Sequence, residues 1–380
     1  MKEINNLKVK YHGQTVGILA ETKAGKVAFQ YDADWQRQGF SLNPLSLPLT
    51  DRVYLPKSDV FDGLFGIFAD SLPDGWGRLL VDRMLLKKKI APNTVTAVQR
   101  LGIVGSTGMG ALEYVPELMQ YEEKDLLDFD QISQECEKIL REETSENLDE
   151  LFQLGGSSGG ARPKALVSIE GESWIVKFPS SVDRKSIGEE EYRYMKCAEK
   201  CGISVPPVKL FASKLYKGYF GAKRFDRGDK DKVHMATVSG LLETSHRIPN
   251  LDYHDLMKLT YILTKDSRQI EEMFKRMCFN VYAHNRDDHS KNFSYLYDEK
   301  DKQWKLTPAY DLTYSSSIGG EHATCVNGNG KDPNIEYLLA VGKAAGLAGS
   351  KSKKIIKEIE EIVYEELRDI MQGYGRSKSI

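Results

Sequence analysis

Long apolar runs are missing from this 380-residue chain. Nothing approaches the roughly twenty consecutive apolar residues that a membrane-spanning helix needs, so no membrane partner is expected. The opening M-K-E-I-N-N-L has no apolar stretch of the kind a secretory leader carries, and no signal peptide is expected. Cysteine is sparse: Cys136, Cys197, Cys201, Cys278 and Cys325 form no C-x-x-C pair. An odd count without a framework points to reduced thiols and a cytoplasmic protein. A surplus of one charge is missing too. The 53 Lys and Arg against 55 Asp and Glu leave a net charge of -2, which argues against nucleic-acid binding by bulk charge and leaves only a local patch. What is present, 41% hydrophobic and 28% charged residues, suits a packed soluble fold of two or three domain-sized pieces.

The first 55 residues read as β, with strands at Leu7 to Tyr11, 16–20 and 26–31 and a hairpin turn at Ala24-Gly25-Lys26. Residues 58–110 read as helical. Asp70 to Gly75 breaks one helix, and Trp76 to Lys87 starts another on Leu79, Leu80, Met84 and Leu85. Gly102, Gly105, Gly108 and Gly110 imitate a phosphate cradle, but no Lys-Ser/Thr follows, and glycines at a turn usually serve the backbone. Ala111 to Pro116 reads as a closing strand. The acidic stretch Glu122 to Leu151, with Leu126, Leu127, Phe129, Ile132, Cys136, Ile139 and Leu140, reads as a connecting helix with a solvated face.

A second glycine-dense loop, Leu154 to Lys164, leads into strands at 165–169 and 174–178. Loop amides there, around Gly159 and Gly160, could cradle phosphates, with Lys164 and Lys177 reaching them. An exposed strand lysine is the plainer reading of Lys177 alone. The helix Gly188 to Cys201 places Glu191, Met195 and Ala198 on one face, which makes Glu191 a partner for Lys177, with Glu189 and Glu190 as close neighbours. The strand Tyr219 to Phe225 exits into a loop where backbone could meet adenine, so Lys223 and Phe225 are nucleotide-contact candidates. Core helices are expected over 250–284 and from about 351 to 372, and the tail from Gly373 is expected to fray.

The chemistry concentrates at 284–312, H-N-R-D-D-H-S-K-N-F-S through P-A-Y-D-L. Asp287 precedes Asn292 by five residues. The apolar segment 293–297, a polar turn and a second apolar segment ending in Asp311 read as a β-hairpin behind a loop. Phosphoryl transfer from ATP uses this set: one carboxylate to orient a hydroxyl and take its proton (Asp287), an amide oxygen and a second carboxylate (Asn292, Asp311) for Mg²⁺, and Lys291 as a further nucleotide contact. The plain alternative is an Asx-rich solvated turn. His284 and His289 are five apart, which does not share a helix face, and no zinc site is expected. The polar stretch Tyr314 to Gly320 suits substrate contact.

These motifs together resemble the HipA family of serine/threonine kinases, the toxins of bacterial toxin–antitoxin systems. F-A-D-S-L-P-D-G-W-G-R at 68–78 and G-S-T-G-M-G-A-L-E-Y at 105–114 resemble its N-terminal subdomain. S-S-G-G-A-R-P-K at 157–164, N-R-D-D-H-S-K-N-F-S at 285–294 and P-A-Y-D-L at 308–312 resemble its kinase core. The resemblance implies an α+β, protein kinase-like bilobal fold of HipA type: a β-rich N-terminal subdomain (1–116), a connecting helix (117–151), a small lobe with the Gly-rich loop (152–226) and a mainly helical large lobe (227–380). It implies ATP and Mg²⁺ as cofactors, Asp287 as catalytic residue, Asn292 and Asp311 as metal ligands and Lys177 as the ATP lysine. It also implies a loop serine that becomes autophosphorylated, ejecting the loop and switching the kinase off. Register through Lys164 places it at Ser157, with Ser158 adjacent. The implied partners are a small helix-turn-helix antitoxin (HipB-like), operator DNA mainly through that antitoxin, and a protein substrate of a class that includes aminoacyl-tRNA synthetases. Asn285 departs from the His of H-R-D, and Tyr310-Asp311-Leu312 from D-F-G. His289 stands where small-molecule phosphotransferases also place a His. A small-molecule kinase and a non-catalytic corepressor therefore stay open beside the toxin kinase.

Overall fold

The computed structural model describes residues 4–119, 128–143, 145, 147–228 and 231–375. They divide into two units, Met1–Gly188 with Phe211–Thr244, and Glu189–Leu210 with Ser245–Ile380.

The first unit begins with an antiparallel sheet. Asn6–Tyr11 pairs with Gln14–Glu21 on one side and Leu112–Val115 on the other, and Val27–Tyr31 adds to the outer edge of Gln14–Glu21. Period-2 alternation buries Leu7, Val9 and Tyr11 on one face. His12 and Gly13, with φ of 48° and 78°, make the tight turn that right-twisted hairpins favour. The expected β character ends at Asp32, whose side chain accepts the Asp34 N–H and starts the helix Ala33–Gln38.

Where 58–110 was expected to be helical, helices occupy Gly66–Ala69, Gly75–Lys87 and Ala97–Val104, the last entered through a Thr96/Gln99 capping box. Gly102 lies inside that last helix. Carbonyls of the loop after it face cations: Ser106 O accepts from Lys232 (2.6 Å), and Gly108 O and Gly110 O from Arg227 (3.0 and 2.9 Å). Its Gly110 N–H donates to Asp226 Oδ2 (2.8 Å). A phosphate cradle would turn amides outward instead. Burial raises the Asp226 pKa, but Arg224 and Arg227 outweigh it and hold the carboxyl below its ordinary value.

The expected connecting helix is two helices, Phe129–Leu140 and Leu148–Gly155. Asp128 and Gln131 form a capping box at the first, and Glu142 (φ 61°) turns the chain between them. Leu126 and Leu127 lie outside the described residues. Both helices, with Gly75–Lys87, cover a sheet of Lys164–Ile169, Glu172–Lys177 and Tyr219–Lys223. Trp76, Leu80, Phe152, Trp174 and Val176 fill that core, each large side chain contributing about 1.5–3 kcal/mol by burial.

The second unit is mainly helical: Tyr253–Thr264, Ser267–Tyr282, Ile335–Ala344 and Gly349–Gly373. The hairpin Ser294–Asp298 with Gln303–Leu306 packs on Tyr253–Thr264, where Thr260 and Tyr295 hydroxyls meet at 2.8 Å. The second strand stops at Leu306, short of Asp311, because Thr307 O is taken by buried Arg276 (2.6 Å) and Ala309 N donates to Ser204 O (2.7 Å). The tail is anchored rather than frayed as far as Tyr374. Its ring stacks on Tyr314 (4.1 Å) and its hydroxyl donates to Glu190 Oε2 (2.7 Å); residues 376–380 lie outside the described residues. Among the described residues no helix is long and apolar enough to cross a membrane.

Candidate active site

In the second unit the loop after Ser267–Tyr282 is built by hydrogen bonds at each residue. Asn285 N donates to Asn280 O (2.9 Å), and its side-chain amide to Asn280 Oδ1 (2.9 Å). Asn285 thereby anchors the loop to the preceding helix. Arg286 is buried and donates to Gly320 O and to Lys331 O (2.6 Å). Asp287 faces solvent, its side chain 60% exposed, with His289 Nε2 at 3.8 Å. Asp288 is buried and receives Tyr253 OH (2.8 Å) and His322 Nδ1 (2.9 Å). Burial, with the Asp288 charge beside it, pushes the Tyr253 phenol well above its ordinary value. The adjacent aspartates are therefore opposites, one presented and one structural.

Asn292 closes the loop. Its side-chain N–H₂ donates to Asp287 O at 2.7 Å, which leaves the amide oxygen as the acceptor of that side chain. Tyr310, just before Asp311, donates to Lys291 O (2.7 Å), just before Asn292. Asp311 itself takes φ 54°, a left-handed conformation that Asp tolerates better than most residues. His289 lies between Asp287 and His246, whose ring centre is 5.3 Å from its own.

In the first unit, strand register makes Lys164 and Lys177 cross-strand partners. Directly opposed like charges are unfavourable in a sheet, and an anion relieves them. Lys164 Nζ donates to Gly159 O (2.5 Å), and Lys177 lies over the Phe220 ring (5.6 Å). The Gly-rich loop is folded onto the start of Gly75–Lys87. Gly160 N donates to Asp74, Trp76 N donates to Gly160 O (2.9 Å), and Ser158 Oγ donates to Gly155 O (2.6 Å). Ser157 and Ser158 are buried there, at 7% and 1% exposure. Lys223 donates to Glu172 (2.5 Å), and Phe225 is half-buried beside the Arg224–Asp226 pair. Glu191 is buried on the helix Ile187–Lys200, while its neighbour Glu190 takes the Tyr374 hydroxyl.

The donor types present suit a hard divalent cation such as Mg²⁺. An amide oxygen and carboxylates are hard donors, few enough to leave coordination positions for water and phosphate. Among the described residues no cluster of three or more His, Cys, Asp or Glu forms a metal cage. Sequence reasoning missed Asp74, Tyr253, Asp288 and His322. The doubled aspartate of R-D-D-H was the only local sign, since a loop rarely needs two identical exposed carboxylates.

Residues 156–367 match the HipA-like C-terminal domain, and residues 7–115 the HipA N-terminal domain. "Putative kinase Y4dM" of Sinorhizobium fredii is 30% identical over 172 residues, covering 41% of each chain. A "Putative kinase" of Haemophilus influenzae is 26% identical over 183 residues, 42% of this chain and 53% of that protein. "Putative kinase Y4mE" of S. fredii is 25% identical over 342 residues, 80% of this chain and 76% of that protein. The chain thus spans about half the length of the first two relatives. Among solved structures, HipA of Shewanella oneidensis MR-1, determined with HipB and its operator DNA, superposes with a TM-score of 0.72 at 19% identity, covering 96% of this chain and 91% of that one. That likeness establishes an α+β fold of the HipA type. With both domain models matched along its length, the chain belongs to the HipA family.

Proposed function

We propose that this protein is an ATP- and Mg²⁺-dependent serine/threonine protein kinase, the toxin of a cytoplasmic toxin–antitoxin pair. The observation that carries the reading is the Asp287–Asn292 loop: a solvent-facing carboxylate whose own backbone carbonyl is gripped by the asparagine side chain five residues on (2.7 Å). Asp287 orients the attacking hydroxyl and accepts its proton. Asn292 and Asp311 would hold Mg²⁺, and Lys177 and Lys164 are candidate contacts for the polyphosphate. Bound ATP and Mg²⁺ would supply the phosphoryl group and screen its charge. Lys291, Lys223 and Phe225 are further candidate nucleotide contacts.

A small HipB-like helix-turn-helix antitoxin would restrain the kinase and bring it to operator DNA. The substrate would be a cellular protein, of a class that includes aminoacyl-tRNA synthetases. Ser157, or Ser158 beside it, would be the self-modified residue. Both side chains are buried against the start of Gly75–Lys87, where a phosphate of about two negative charges cannot be accommodated, so modification keeps the loop out.

The test is intact mass and phosphosite mapping after incubation with Mg²⁺–ATP. Phosphate on Ser157 in the wild type and none in Asp287→Asn is expected. Transfer at the wild-type rate by Asp287→Asn would show that the base is misassigned.

A further inference from the structure

Asp287 stands between two buried charges, and both are anchored to one distant segment. Arg286, 5% exposed, donates to Gly320 O and Lys331 O. Asp288, 1% exposed, is enclosed more completely. Its Oδ2 accepts from Tyr253 OH (2.8 Å) and from His322 Nδ1 (2.9 Å). Its Oδ1 accepts from Thr324 N (3.3 Å), and its carbonyl from Thr324 Oγ1 (2.6 Å). Tyr253 OH in turn accepts from Asn280 Nδ2 (2.9 Å), the residue that holds Asn285. Both side chains of the His322–Asp288 pair are essentially out of solvent, at 1% and 0%.

A carboxylate costs several kcal/mol to bury unless its oxygens are fully engaged. Packing alone gives no reason to place one here, since an apolar residue would fill the space. What the charge adds is direction, because charge-assisted hydrogen bonds are short and geometrically demanding. With Arg286 and Asp288 both drawn inward, the side chain between them is left facing out.

We propose that Asp288 and His322 are a positioning pair. His322, carried on the segment that follows Asp311, holds through Asp288 the backbone on which Asp287 stands. The order of the segment from Tyr314 to Thr324 and the transfer competence of Asp287 are then one property, and anything that seats that segment, a docked protein substrate included, also sets the catalytic carboxylate. The proposal rests on the kinase reading of Asp287.

His322→Ala removes the donor. His322→Asn returns an N–H near the Nδ1 position. Tyr253→Phe removes one donor to Asp288 with no change of shape or charge. Displacing a catalytic group by about 1 Å costs on the order of 100-fold in rate, so kcat should fall about 100-fold in His322→Ala, less in Tyr253→Phe, and largely recover in His322→Asn. KM for ATP, and the affinity for a fluorescent ATP analogue, should stay within about twofold of wild type, because those contacts are made by other residues. A merely structural role predicts instead that kcat and affinity fall together with the melting temperature and that Asn gives no rescue, which would overturn the proposal. If His322→Ala does not fold, Tyr253→Phe decides by the same criteria. Amide hydrogen exchange over 285–289 needs no activity. Faster exchange there in Tyr253→Phe, with the helices unchanged, supports the pair, and unchanged exchange overturns it. A wild type that transfers no phosphate sinks the kinase reading, and the exchange result still decides whether the pair holds the loop.

Discussion

Gly77→Ala is the sharpest probe of how the Gly-rich loop is held. Gly77 lies in the first turn of Gly75–Lys87, under the loop. A Cβ added there would drive into Ser158 O, and would sit 2.8 Å from Pro73 Cβ and 3.1 Å from Gly155 O. Two of these three walls are backbone carbonyls, one in the loop and one at the end of the helix Leu148–Gly155, so no side-chain rotation relieves the clash. Overpacking of this kind costs about 1–3 kcal/mol. Alanine returns up to about 1 kcal/mol as a better helix former. The net, about 1–2 kcal/mol, falls mainly on the docked loop, because Ser158 O is the nearest wall and the loop can lift while the helix stays. The ratio of docked to lifted loop should drop about 5–30-fold. Amide exchange and limited proteolysis over 155–162 read this directly, with Gly349→Ala as the control, since a Cβ there meets nothing within 4 Å. Lifting exposes Ser157 and Ser158, so self-phosphorylation should also begin sooner. Wild-type exchange over 155–162 together with a higher melting temperature in Gly77→Ala, as a simple helix-propensity change would give, would refute a loop held by this contact.

Asp311→Asn should abolish phosphoryl transfer chiefly by weakening Mg²⁺ binding, so raising Mg²⁺ should recover part of the activity; no recovery at any concentration would place Asp311 in another role. Asp226→Ala should destabilise the protein by about 3–5 kcal/mol, because it strands Arg224 and Arg227 beside Gly110; a loss under about 1 kcal/mol in urea unfolding would show that the cluster is solvated. His234 is held neutral by burial, its pKa pushed down from 6.5 to about 4. The unfolded chain takes up a proton below about pH 6.5 that the fold refuses until about pH 4. Stability is therefore full above that window and declines as pH falls through it, by up to about 3 kcal/mol at 1.36 kcal/mol per pH unit. Urea midpoints at pH 7, 5.5 and 4.5 should diverge between wild type and His234→Phe, and parallel curves would refute the assignment.

Local patterns were legible in the sequence because they are set by neighbours along the chain. The apolar stripe of 351–372 appears as Gly349–Gly373, Trp76 to Lys87 as Gly75–Lys87, and the segments flanking the polar turn at 299–302 as a hairpin. Short elements carried too little periodicity to be seen: Ala33–Gln38 depends on the Asp32 cap, and Val238–Leu242 on the Thr237 cap. Ile335–Ala344 shows only a short apolar face, with Leu338 and Val341 buried.

Composition and motif spacing, on their own, determined the family-level picture: two glycine loops, a phosphotransfer-like set of polar residues, and no membrane-spanning run. Which groups meet was decided only by tertiary structure. Asp287 and Asp288 are chemically identical neighbours, and nothing along the chain says that one is presented and the other buried against His322, 34 residues away. The 102–110 glycines and the 155–160 glycines look alike in sequence. Of the first, Gly108 and Gly110 turn their carbonyls to Arg227, and the second fold onto Asp74, 86 residues back from Gly160. Lys164 and Lys177 become partners only once strand register is set. Hydrophobic periodicity is a local property of a helix or strand. The partner of a buried polar group is not, because burial makes pairing obligatory but the packing of remote segments chooses the pair.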